Sequence, residues 1–179
     1  IPNNAKILLN AFASCTSLVT PPPIPNGVTD MANCFMDCTA LTTPPVIPSS
    51  VTRIWACFSG CNSLTSFPEI PSTVEDAHEC FMGCTSITGN CIVNAGLSTQ
   101  YDWMRRDIFT GTVNDIYVVY NGSSASDVQQ WETIVSQYSN VHYEANDNPV
   151  PSLSVRVTSV DSALSETPSV LGEYAYINA

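Results

Sequence analysis

The feature that most restricts this chain is a 23-residue period. Ile-Pro recurs at Ile1-Pro2, Ile24-Pro25, Ile47-Pro48 and Ile70-Pro71 with no insertion. Phe12, Phe35, Phe58 and Phe81 keep the same phase, as do Cys15, Cys38, Cys61 and Cys84. Three further apolar columns run Leu18, Leu41, Leu64, Ile87; Ala5, Val28, Val51, Val74; and Leu8, Met31, Ile54, Ala77. A unit this short cannot bury its own apolar face, but stacked units bury a continuous core of like residues. The period therefore predicts a solenoid of four 23-residue repeats over residues 1–92. Within a unit, residues 28–31 and 41–43 read as short strands and residues 34–38 as one helical turn. Pro21, Pro22, Pro44, Pro45 and Pro68 lack an N–H and end any backbone ladder where they stand.

Composition removes several function classes. The net charge is −11 and Lys6 is the only lysine. Phosphate binding needs clustered Lys and Arg, so a nucleic-acid partner is excluded, and so is docking on anionic lipid. No apolar run approaches the ~18 residues of a membrane span. The chain starts at Ile1 without Met, which reads as a processed product or a fragment.

The stretch VTDMANCFMDCTALTTPPVIPSSVTRIWACFSGCNSLTSFPEIP carries Val-Thr-x-Met/Ile, then Phe-x-x-Cys-x-x-Leu, then Ile-Pro. In this it resembles the BspA-like leucine-rich repeats of bacterial surface proteins, over residues 1–92. The resemblance implies an α/β fold of leucine-rich-repeat type and a role in adhesion or recognition. The departure is an extra cysteine before Phe, at Cys34, Cys57 and Cys80, where the family more often has a small or apolar residue.

Three readings of the eight cysteines stay open. A zinc site finds no histidine at finger spacing. Buried free thiols would pack as small hydrophobes. Disulfides are the third: staggered pairing joins Cys15 with Cys34, Cys38 with Cys57, Cys61 with Cys80 and Cys84 with Cys91. That scheme uses all eight and explains why the first unit has Ala11 at the extra position. Coils ~5 Å apart allow a bridge only if the turns are staggered, because the Cα atoms must lie within ~7 Å. Each inter-unit bridge would contribute on the order of 3 kcal/mol in the chain-entropy model and would place the protein in an oxidising compartment.

Residues 93–145 read as an α/β C-terminal cap. Residues 101–109 suggest a short amphipathic helix, and Ile116-Tyr-Val-Val-Tyr120 a strand. Ser126 with Gln129 forms a capping box, and Val128, Trp131, Ile134, Val135 and Tyr138 share one helical face. Val141-His-Tyr143 returns as a strand. Residues 144–151 read as a linker, and residues 146–179 as linker and β-rich tail, or the start of a further domain. The tail strands suit self-assembly by strand addition.

Little points to catalysis. His78 beside Glu79 and Cys80 could suggest a thiol nucleophile, but its column also holds Leu9, Ala32 and Trp55, which is no setting for a positioned base. His142 lies in an expected strand. Glu144 and Asp147 match no calcium loop. Asn121-Gly-Ser123 is a glycosylation sequon. The expectation is a protein without catalytic residues, cofactor or metal. Binding is expected at Arg53 and Trp55, residue types favoured at hot spots, and along the polar column Thr42, Thr65 and Thr88. The partner class is a protein or glycan at a cell or host surface, the location secreted or cell-surface, with a virion surface as alternative. A structural subunit of a surface filament or phage tail appendage is the second reading.

Overall fold

The computed structural model describes residues 1–94, 96 and 106–145. Successive 23-residue units lie side by side in parallel. Backbone bridges join Ile7 to Asp30, Asp30 to Arg53 and Arg53 to Asp76. The N–H groups of Leu8, Met31 and Ile54 donate to the carbonyls of Asp30, Arg53 and Asp76, at 2.8, 2.9 and 2.9 Å. Two residues earlier on each coil the direction reverses: the Thr29, Thr52 and Glu75 N–H groups donate back to Lys6, Thr29 and Thr52. Each inner coil is thus donor and acceptor to both neighbours, which satisfies backbone that no strand or helix would otherwise pair.

Residues 34–38 do not form a helical turn. Cys34 N–H donates to Met31, Met36 to Asn33 and Cys38 to Phe35, a run of separate β-turns. Asn33 and Asp37 have φ of 52° and 58°, and a left-handed residue every fourth position forbids a continuous helix. The intervening N–H groups leave the coil, Phe35 donating to Cys57 and Asp37 to Ser59. The left-handed sites repeat as two columns: Asn10, Asn33, Ala56, Glu79, Asp107 and Ser14, Asp37, Gly60, Gly83, Gly111. Asn, Asp and Gly tolerate that region best, which explains most of both columns. Residues 41–43 form no strand; Thr42 N–H makes one bond, to Val19.

The phenylalanines stack through the centre. Ring centroids are 5.3 Å apart for Phe12 and Phe35, 5.8 Å for Phe35 and Phe58, and 5.7 Å for Phe58 and Phe81, all within 6° of parallel. The ladder then continues to Phe109, 6.2 Å beyond Phe81. Residues 106–115 are therefore a fifth coil, and the described part of the expected helix over 101–109 is a pair of turns. Residues 101–105 lie outside the described region. Phe81 N–H donates to Ile108 and Gly83 N–H to Thr110, as Phe58 and Gly60 donate to Cys80 and Met82. His78 meets Arg106, 28 residues on, where the earlier coils meet at 23. The longer step hides this coil from a search at fixed period.

From Gly89 on, this edge of the stack becomes a regular sheet. Strands β1 (Gly89–Val93), β2 (Ile116–Tyr120) and β3 (Val141–Ala145) are parallel in that order, and Ile70 bridges Val93 on the inner side. The same edge carries Pro44, Pro45 and Pro68 in earlier coils, which cannot donate. Cys91 stands at the proline position, so here the ladder can form. Strand β3 runs through Ala145, so the expected linker begins at least two residues later than Glu144. Helix α1 (Ala125–Val135) joins β2 to β3 and buries Trp131, Ile134 and Val135. Its N-cap is Ser124, not Ser126: the Ser124 hydroxyl accepts from Asp127 N–H at 3.3 Å. The Asp127 carboxylate instead accepts from the Tyr120 hydroxyl at 2.8 Å. Tyr138 meets Phe109 edge-on at 5.9 Å and closes the aromatic ladder. Residues 146–179, which include the expected tail, lie outside the described region.

Removing a central ring should be far costlier than removing the terminal one. Phe58→Ala is expected to lose about 3–5 kcal/mol in urea unfolding, and Phe12→Ala, only half-buried, clearly less. Gly83→Ala should cost about 1–2 kcal/mol from its φ of 73° alone, since an added Cβ meets nothing closer than 3.8 Å. Gly60→Ala should cost more, because the same Cβ would collide with the Asp37 carboxylate.

Candidate functional site

One edge of the stack carries the charged and aromatic residues singled out in the sequence. The parallel bridges align Asp30, Arg53 and Asp76 in a row. Arg53 Nη2 lies 3.3 Å from Asp30 Oδ2, and its side chain is 44% exposed. Burial pushes the Asp76 carboxyl up, against a downward pull from the His78 backbone N–H bond and Arg53. Arg53 is therefore held between two carboxylates rather than projecting freely. Two residues on, the Trp55 ring stacks against His78 at 6.5 Å and 28°. Trp55 is half-buried, and its Nε1–H is shielded from solvent with no hydrogen-bond partner. Indole N–H groups in that position usually find an acceptor. Among the expected binding residues, Arg53 and Trp55 thus share one ridge, extended by His78.

The threonine column behaves differently. Thr42 Oγ1 donates to Val19, Thr65 Oγ1 to Thr42 and Thr88 Oγ1 to Asp115, at 3.4, 3.1 and 3.0 Å. Their donors tie coil to coil, leaving only acceptor capacity for a ligand. A separate shallow groove on the proline edge is lined by Pro44, Pro45, Val46, Phe67, Pro68 and Glu69, among others, with Val46 86% exposed.

His78, Glu79 and Asp107 come together although Asp107 lies 28 residues beyond Glu79 in sequence. One ligand atom from each lies within 4.8 Å of the others. His78 Nδ1 is 3.1 Å from the Arg106 carbonyl and its Nε2 is 3.4 Å from Glu79 Oε1. Sequence reasoning placed His78 in a variable column and missed Asp107, because the coil that carries it was not legible. The αL column that holds Asn10, Asn33 and Asp107 was the available signal.

All eight cysteines are free thiols, so the staggered disulfides Cys15 with Cys34, Cys38 with Cys57, Cys61 with Cys80 and Cys84 with Cys91 are not formed in this structure. The geometry shows why. Cys38, Cys61 and Cys84 each donate Sγ–H to the Phe carbonyl of the preceding coil, at 3.1 Å, and so turn away from the coil that holds the staggered partner. Seven of the eight are buried. Burial pushes Cys34 and Cys84 up to about 12, and Cys57 and Cys80 well above their ordinary value. Cys38, Cys61 and Cys91 are raised for the same reason. Cys80, next to His78 and Glu79, is thus a packed neutral thiol and a poor nucleophile.

No protein-family model matches this chain, and neither a curated protein nor a solved structure does.

Two outcomes follow from the thiol core. Iodoacetamide should label Cys15 alone in native reduced protein and all eight after denaturation, as read by intact mass. Stability should also fall in alkali. An unfolded thiol ionises near ~8.5, whereas the folded ones stay neutral to about 12 at Cys34 and Cys84. Above ~8.5 the unfolded chain binds fewer protons than the folded one, so the unfolding free energy drops as pH rises. Each buried thiol contributes up to about 1.4 kcal/mol per pH unit. Melting under reductant should be level from pH 6 to 8 and fall steeply from about 9; bridged cysteines would show no such fall.

Proposed function

We propose that the chain is a binding scaffold, a leucine-rich-repeat-like solenoid that recognises a protein or glycan at an exterior surface. The observation that carries this reading is the Arg53–Trp55–His78 ridge, where a half-buried indole keeps its N–H unpartnered. A Trp held by neighbouring coils is rigid and amphipathic, which suits an anchor residue. The resemblance of residues 1–92 to BspA-like surface repeats supports the secreted or cell-surface location. A thiol enzyme is disfavoured, because the cysteine nearest a histidine and carboxylate is buried and protonated. Among the described residues no helix is long and apolar enough to cross a membrane.

A second reading, a subunit of a surface filament or phage tail appendage, draws on the first coil. Ile7 and Leu9 are exposed there, although the equivalent positions of inner coils are covered more fully. Light scattering over a concentration series separates the two: a constant monomer favours the scaffold.

The test is a screen of labelled protein against a glycan array and a panel of surface and matrix proteins. Trp55→Ala should weaken whatever is bound at least tenfold, and Thr65→Val much less. Equal binding by wild type and Trp55→Ala would remove the ridge as the recognition site.

A further inference from the structure

We propose that His78, Glu79 and Asp107 form a site for a divalent first-row transition-metal ion. The donor set is one imidazole nitrogen and two carboxylates, all within 4.8 Å of one another, so small side-chain rotations would bring them around one ion. Such a site needs an imidazole with one ring nitrogen aimed inward and the other held from outside, and the structure supplies that orientation. The Arg106 carbonyl can only accept, so His78 Nδ1 carries the proton in the 3.1 Å bond between them. That leaves Nε2 pointing at Glu79 Oε1, 3.4 Å away. Nε2 and the Glu79 carboxylate thus face each other, and a metal ion can take the place of the proton that would otherwise bridge them. The backbone carbonyl that orients the ring is the usual outer partner of a metal-bound histidine.

The scaffold holds these groups firmly. Glu79 and Asp107 occupy equivalent positions of adjacent coils, and Glu79 N–H donates to the Arg106 carbonyl at 3.1 Å. The Trp55 ring covers one side of the imidazole. Asp107 also lines a polar groove between the fifth coil and α1, which Gln130 lines too; its Oε1 is shielded from solvent and has no partner. That acceptor suits a water carried by the ion. Three protein ligands leave open positions, so the ion can recruit a further oxygen donor.

The experiment is calorimetric titration of Zn²⁺ into reduced protein carrying Cys15→Ser, which removes the exposed thiol, together with ¹⁵N spectra of the two histidines. One Zn²⁺ per chain is expected, with the His78 Nε2 resonance shifted and His142 unmoved. Asp107→Asn should weaken binding at least tenfold without unfolding the chain, because Asn10 and Asn33 occupy the same backbone column. His78→Gln should do the same, and His142→Gln should change nothing. Undetectable binding at millimolar Zn²⁺ would overturn the site, as would unchanged binding in Asp107→Asn and His78→Gln. A thiolate-to-metal charge-transfer band with Co²⁺ would assign the ion to the cysteines and overturn it equally.

Discussion

The structure depends on one constraint: no coil can satisfy its own backbone. Each turn-rich segment closes small loops through some of its N–H groups and sends the others to the next coil. A coil without neighbours would leave those donors unpaired and its Phe exposed, so stability is shared along the stack and not owned by any unit. The phenylalanine ladder runs along the same stack as the backbone ladder, its rings 5.3 to 6.2 Å apart. The cysteine columns fill the space beside it with small side chains whose weak donors reach the Phe carbonyls. A larger residue there would force the coils apart.

Much of this was legible in the residues, for a physical reason. Side chains that stack on their own equivalents must recur in phase, so the recurrence of Phe12, Phe35, Phe58 and Phe81 marks the ladder in the sequence itself. The strand Ile116–Tyr120, the first three residues of Val141–Ala145 and the buried face of α1 were equally visible, because alternation and helical spacing are local signals. The fifth coil was not legible. A five-residue lengthening breaks the phase, and Thr112 replaces the expected cysteine, though Phe109 and Gly111 keep their places. The turns at residues 34–38 were misread as helical because left-handed φ leaves only a faint mark in sequence, a preference for Asn, Asp and Gly.

The candidate site was half legible for the same reason. Arg53 and Trp55 stood out by type, and the structure sets both on one ridge. Thr42, Thr65 and Thr88 stood out by recurrence, which here reflects coil-to-coil bonding. Recurrence marks what a stack needs everywhere; a ligand site is marked by what breaks it. Trp55, His78 and Asp107 are such breaks. The His78 cluster was invisible until the longer fifth step brought Asp107 beside Glu79. The staggered disulfide scheme followed from pairing arithmetic, and the direction of the thiols decides against it in this structure, since Cys38, Cys61 and Cys84 face backward.

The central claim is that five coils share one continuous backbone ladder. Native-state amide hydrogen exchange tests it most directly. The account predicts strong, similar protection at the N–H groups of Phe35, Phe58 and Phe81, and at Gly83, which donates into the fifth coil. Protection that is absent from these amides, or that stops before Phe81 and Gly83, would contradict it.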